Sequence, residues 1–214
     1  METLIIRRLG CLDYQEALNI QMETRASVTA GRIPHTLLLT EHKPVITLGR
    51  RGEMAGIQKA DTLEREGINV LNTNRGGNVT YHGPGQLVAY PIIDLRTLNL
   101  DIHRYVLGLE SVTIRLLHRF SIEGWRSKNN YGVFTKKGKI ASLGIHIARW
   151  VTMHGIAINV DPDMAHWACI SPCGSLGVRA ASIASFQSPP PDLSYVADVF
   201  SREFLAEFSL RTTN

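Results

Sequence analysis

Two long runs rich in β-branched and apolar residues, Lys139 to Arg149 and Val151 to Asp161, follow one another with almost no chain between them. Strands joined that tightly pair as antiparallel neighbours, so the segment predicts a hairpin turning around Arg149 to Val151 and commits the chain to a sheet. Shorter runs of the same character at His35 to Leu39, Val45 to Leu48, Gln86 to Ile93 and Tyr131 to Thr135 supply further strands.

Helical spacing appears between them. Asp13 with Glu16 reads as a capping pair ahead of Tyr14, Ala17, Leu18 and Met22, which share one helix face. A second helix is predicted from about Ile102 to Leu117, with Ile102, Tyr105, Leu109, Val112 and Leu116 recurring every three or four residues. Asp192 caps a third that carries Tyr195, Val199, Phe200, Phe204 and Phe208. The elements do not alternate as βαβ units, which makes the class α+β.

The chain has 214 residues, with no internal period, low-complexity block or long linker, and is read as one domain, 1–214. The start, METLIIRRLGCLD, has no apolar run of signal-peptide length, and no stretch is long enough to span a membrane. Cys11, Cys169 and Cys173 make an odd set without framework spacing, as expected in a reducing, cytoplasmic setting. The net charge of +4 is spread among acidic residues, which argues against nucleic acid and is compatible with an acidic protein partner.

Three constellations carry chemical potential. In Asn74 to Leu95, glycines 76, 77, 83 and 85 leave backbone amides uncovered while Arg75, Tyr81 and His82 offer polar contacts. The pattern serves equally as a ligand cradle or as a pair of tight turns at strand ends. In the second, Lys136, Lys137 and Gly138 form a turn that delivers Lys139 to a strand. Strand parity groups 139, 141, 143, 145 and 147 as Lys, Ala, Leu, Ile, Ile, so Lys139 heads the apolar row. A lysine turned toward a core works as a base near neutral pH, and one at a fraying strand end snorkels to water; both readings stand.

The third is HWACISPCGSLG. There Cys173, between Pro172 and Gly174, lies on a broken segment where a thiol can be exposed and aimed at a thioester carbonyl. Cys11 and Cys169 read as inert small apolar residues. A zinc site of His166, Cys169 and Cys173 lacks a fourth ligand. His82 and His154 compete with Lys139 as the base; His154 shares parity with Ile156, Ile158 and Val160 and reads as a core histidine, whereas His82 lies in a glycine turn and reads as facing a ligand.

Taken in order, RGGNVTYHGPGQ, KIASLGIHIARWVTMHGIAINV and PCG resemble the octanoyltransferase family, the lipoyl(octanoyl) transferases, from about Glu41 to Ile183. The resemblance implies a fold shared with lipoate and biotin protein ligases, a mixed sheet with flanking helices and an acyl pocket at one end. It implies Cys173 as the nucleophile that carries an acyl thioester, and Lys139 as the group that lowers the cysteine pKa and acts as acid and base. The segments implied to surround the acyl group are Arg75, Gly76, Gly77, Asn78, Val79, Thr80, Tyr81 and His82, then Ser142, Leu143 and Gly144, then Gly155, Ile156 and Ala157. Gly144 and Gly155 are expected to keep open the volume of an eight-carbon tail.

The implied reaction moves octanoyl from octanoyl-acyl carrier protein to a lysine of lipoyl domains, those of 2-oxoacid dehydrogenase complexes and the glycine cleavage H protein. It needs no cofactor, ATP or metal, and the enzyme is expected to be a monomer. Two alternatives are an ATP-dependent lipoate or biotin ligase and a non-catalytic acyl-binding module. The chain departs from the family where Ala181 replaces a threonine and Ser171 an apolar residue.

Overall fold

The computed structural model describes residues 2–171 and 179–213. In chain order the elements are β1 (Thr3–Leu12), α1 (Tyr14–Thr29), β2 (His35–His42), β3 (Val45–Leu48), α2 (Ala60–Arg65), β4 (Asn69–Asn72), β5 (Val79–His82), β6 (Gln86–Ile92), α3 (Ile102–Arg119), β7 (Trp125–Arg126), β8 (Val133–Thr135), β9 (Gly138–Ala148), β10 (Val151–Asn159), α4 (Leu193–Glu207) and β11 (Arg211–Thr212). They build a mixed sheet in the order β11-β1-β2-β6-β10-β9-β8-β7 and a smaller one in the order β4-β3-β5. The edge trio β11, β1 and β2 is parallel and the rest of the large sheet is antiparallel. Among the described residues, no helix is long and apolar enough to cross a membrane.

Alternation on the central strands sorts the core into two faces. Leu37, Leu39, Leu87, Ala89, Ile156 and Ile158 meet α3 and α4, while Leu38, Val88, Tyr90 and Ala157 meet α1. The helices follow the predicted spans, and Asp192 caps α4 through Oδ1, which accepts from the amides of Ser194 at 2.7 Å and Tyr195 at 3.4 Å. At α1 the expectation is corrected. Asp13 makes no side-chain cap and instead pairs with Lys43 at 3.0 Å. Met22 is 44 % exposed, and the buried face runs through Tyr14, Ala17, Gln21, Thr24 and Val28. Gln21 and Thr24 were invisible to an apolar periodicity because their role there is polar.

The β9–β10 hairpin forms as predicted, with Val151 opposite Ala148. Arg149 and Trp150, at φ +53° and +66°, make the mirror-image two-residue turn that matches strand twist. Two irregularities on these strands position the site. Phe134 pairs with Lys139 but Val133 pairs with Ala141, so Ile140 is an extra residue in β9. Ile140 and Ala141 therefore both enter the core, and Lys139 moves to the face of Ser142 and Gly144. The prediction that Lys139 heads the apolar row fails for that reason: one inserted residue reverses every parity argument on its far side.

The second irregularity is at His154, whose φ is +54°. It lies where the β6–β10 ladder is interrupted near Pro91, which has no N–H to give. The Thr152 hydroxyl fills the gap, donating to Pro91 O at 2.6 Å and accepting from Ile93 N at 2.9 Å. The freed His154 amide donates to Gln21 Oε1 at 2.9 Å. Its ring reaches Asn74 and Tyr14 instead of the Ile156 face that parity assigned to it.

Candidate active site

A cavity of about 280 Å³ opens between β5, the loop before it, and the β9–β10 hairpin. Val79, Val88, Leu143, Ile156 and Ala157 form its apolar wall, and Arg51, Arg75 and Lys139 are its cations; no carboxylate lines it among the described residues. Apolar walls with a few convergent polar groups suit a neutral chain ending in a polar head.

The Arg-Gly-Gly loop is bolted in place by its own arginine. Arg75, 7 % exposed, donates from Nε to Thr47 Oγ1 at 3.0 Å, from Nη1 to Gly76 O at 3.0 Å, and from Nη2 to Thr47 O at 2.5 Å and Asn78 O at 2.8 Å. Those acceptors use most of its five donors, so the guanidinium holds the loop's shape as well as facing the cavity. Gly76 N donates to Ile145 O at 2.8 Å, which docks the loop onto β9.

The strand glycines do more than border the cavity. A Cβ at Gly144 would lie 2.6 Å from Gly76 O, and one at Gly155 would lie 2.1 Å from Ala89 O. Each therefore also lets neighbouring backbone pack closely against its strand. Gly155→Ala is therefore expected to cost on the order of 2–3 kcal/mol by forcing β6 and β10 apart, a melting temperature lower by roughly 5–10 °C. An unchanged thermal melt would show that the strands yield freely.

Lys139 is 8 % exposed and lines the cavity, its Nζ 5.6 Å from the centre of the Phe134 ring. A Cβ at Gly132 would come within 2.9 Å of Lys139 Cε, so that glycine makes the path for the lysine stem. The Lys139 amide donates to Arg179 O at 2.8 Å and its carbonyl accepts from Ala181 N at 2.8 Å, which adds residues 179–181 to β9 as a short parallel partner. On the other side of the cysteine segment, Ser171 N donates to Gly56 O at 2.8 Å. Cys173 lies outside the described residues. Ala181 is held by its backbone, with its carbonyl accepting from Asn159 Nδ2 at 2.9 Å and its methyl in the core.

Three buried histidines adjoin this wall, and desolvation keeps all of them neutral. Burial pushes His42 down to about 4 and His154 to about 3. His82 is held well below its ordinary value by burial, with neighbouring His42 and Arg75 adding to the effect. His42 Nδ1 donates to Leu12 O at 3.2 Å, leaving Nε2 to accept from the Tyr90 hydroxyl at 2.7 Å. His82, the last residue of β5, and His154 both line the cavity, against the placement that parity gave His154.

Of the residues implied to surround the acyl group, Arg75, Gly77, Asn78, Val79, Thr80, His82, Ser142, Leu143, Gly144, Gly155, Ile156 and Ala157 line the cavity. Gly76 packs behind it on β9, and Tyr81 points into a separate cluster with Trp167, its hydroxyl 2.9 Å from His166 Nδ1. His166 Nε2 lies 2.6 Å from Glu66 Oε2 and Cys169 is buried, while Cys173, the third residue of the zinc reading, lies outside the described residues. Tyr14, Tyr90, Arg51 and Asn129 to Tyr131 also line the cavity. Sequence reasoning missed them. The available hints were Tyr90 breaking an apolar run and the polar stretch before β8.

The catalytic-domain model of lipoyl protein ligases A and B matches residues 13–205. An octanoyltransferase from Solibacter usitatus is 43 % identical over 97 % of this chain and 94 % of its own length, and one from Caldicellulosiruptor bescii is 48 % identical over 78 % and 74 %. The chain belongs to the octanoyltransferase family. As a member it is an acyltransferase. The bi-partite lipoate protein ligase of Thermoplasma acidophilum superposes with a TM-score of 0.71 at 14 % identity, covering 100 % of this chain and 87 % of that one. The biotin protein ligase of Aquifex aeolicus gives 0.59 at 12 %, covering 96 % and 70 %. At such identities the likeness is one of fold, and it bears out the mixed-sheet architecture expected from the sequence.

Proposed function

We propose that this octanoyltransferase-family chain takes octanoyl from octanoyl-acyl carrier protein, holds it as a thioester on Cys173, and passes it to a lysine of lipoyl domains, those of 2-oxoacid dehydrogenase complexes and the glycine cleavage H protein. The observation that carries the reading is Lys139, buried at the cavity wall and bonded through its backbone to residues 179 and 181, just past the segment that holds Cys173. The names of the relatives supply the acyl group.

In the first half-reaction Lys139 takes the Cys173 proton and the sulfur attacks the thioester carbonyl. The new S–C bond replaces the carrier's, and the carrier sulfur leaves with the proton from Lys139. In the second half Lys139 accepts a proton from the acceptor amine as nitrogen attacks. The C–N bond forms, the S–C bond breaks, and the proton returns to Cys173. Exchange between thioesters is nearly even in free energy and the amide is downhill, so the cycle closes without ATP. Arg75, Gly77 to Thr80 and His82, with Ser142 to Gly144 and Gly155 to Ala157, enclose the chain in this reading.

Intact-mass measurement after mixing with octanoyl-acyl carrier protein, without ATP, is expected to show a hydroxylamine-labile octanoyl adduct. Transfer seen only with ATP and free octanoate would establish a ligase instead. Tight binding of the acyl carrier with no adduct and no transfer would establish a binding module.

A further inference from the structure

One unbroken line of buried hydrogen bonds joins the Arg-Gly-Gly loop to the residues that flank Lys139. Arg75 Nε donates to Thr47 Oγ1 at 3.0 Å, and Thr47 Oγ1 lies 3.5 Å from His82 Nε2. His82 Nδ1 is 2.7 Å from Gln86 Oε1, Gln86 Nε2 is 2.9 Å from Asn159 Oδ1, and Asn159 Nδ2 is 2.9 Å from Ala181 O. Ala181 N then donates to Lys139 O at 2.8 Å.

Every direction in this line is forced. The backbone carbonyls set it, because they can only accept: Ala181 O takes an N–H from Asn159, and Tyr81 O takes one from Gln86 Nε2 at 3.1 Å, whose other N–H goes to Asn159 Oδ1. Gln86 Oε1 therefore faces His82 and accepts from Nδ1–H. The neutral ring is left with a lone pair on Nε2, to which the Thr47 hydroxyl donates while accepting from Arg75. Thr47, Gln86 and Asn159 are at most 2 % exposed, so water cannot substitute for any link.

We infer that Asn159 is a positioning residue for the acyl transfer: oriented by this line, its amide holds residues 179–181 against β9 and so sets Lys139 relative to the segment that carries Cys173. The inference rests on the proposed roles of Cys173 and Lys139, and adds the device that aligns them. Asn159→Asp keeps the shape and the acceptor for Gln86 but turns an oxygen toward Ala181 O in place of the N–H, which repels the strand extension. At the far end, Thr47→Val removes the hydroxyl that donates to His82 Nε2, whereas Thr47→Ser retains it.

The test follows iodoacetamide alkylation of Cys173 by peptide mass from pH 5 to 9, alongside octanoyl-transfer kinetics, on the full-length chain. Asn159→Asp is expected to raise the alkylation midpoint by about one pH unit and to lower kcat about tenfold with KM nearly unchanged. Thr47→Val is expected to move the midpoint the same way and Thr47→Ser to leave it. A wild-type midpoint and kcat in Asn159→Asp would overturn the inference. If that variant does not fold, the Thr47 pair decides: a Thr47→Val midpoint equal to wild type overturns it equally. A wild-type midpoint at the ordinary thiol value of about 8.5 would instead overturn the Cys173–Lys139 reading itself, and the two failures are thereby told apart.

Discussion

Cys173→Ala is expected to lower kcat/KM for octanoyl transfer by at least ~10⁴-fold and to abolish the octanoyl adduct, because no other nucleophile in the proposed cycle can hold the acyl group. Cys11 is exposed and Cys169 is buried in the cluster around Trp167, so neither is placed to take over. Lys139→Met keeps a stem that fits past Gly132 while removing the proton acceptor. Its expected loss is ~10²–10⁴-fold, the range of general acid–base catalysis, with the adduct still forming slowly. Single-turnover loading measured by intact mass separates the two variants. Wild-type rates in Cys173→Ala would dismiss the thioester route outright.

The second large effect is on stability. His42 and His154 are held by burial to about 4 and about 3, below the ordinary value of 6.5. Below pH 6.5 the unfolded chain binds protons that the fold refuses, so their contribution is complete above that pH. It drains as pH falls through 6.5 toward about 4 for His42 and about 3 for His154. By pH 5 each is expected to have removed about 2 kcal/mol, and His82, displaced in the same direction, adds to the loss. Chemical denaturation at pH 7.5 and pH 5 reads this directly. His154→Gln, which has no proton to gain, is expected to flatten the dependence. Equal stability of the wild type at both pH values would mean that the rings are solvated in solution.

The buried imidazoles also explain why the base reading divided as it did. Cysteine with histidine is the commoner partnership, and His82 and His154 both reach the cavity. Yet a ring kept neutral by desolvation and already giving its proton to Gln86, as His82 does, has its lone pair directed at Thr47. It serves the wall's geometry better than it serves proton transfer. Lys139, brought to the wall by a bulge, is the amine that the proposed cycle uses.

Much of this molecule follows from residue order alone. The β9–β10 hairpin, the helices α3 and α4 with the Asp192 cap, and the succession of loop, lysine strand and cysteine segment are local or periodic features, and periodicity survives into the fold because each strand or helix repeats its own geometry. Tertiary structure decided what depends on a single exception to that repeat. One extra residue at Ile140 moved Lys139 from the core row to the cavity, and the interrupted ladder beside Pro91 turned His154 through the sheet. It also decided the partners of polar residues: Gln21 and Asn159 look unremarkable in sequence, and their importance comes from amide groups that find His154 and Ala181 across 133 and 22 residues of chain. Hydrophobic pattern is written along the chain, whereas a buried polar group takes its meaning from whichever distant donor or acceptor must satisfy it.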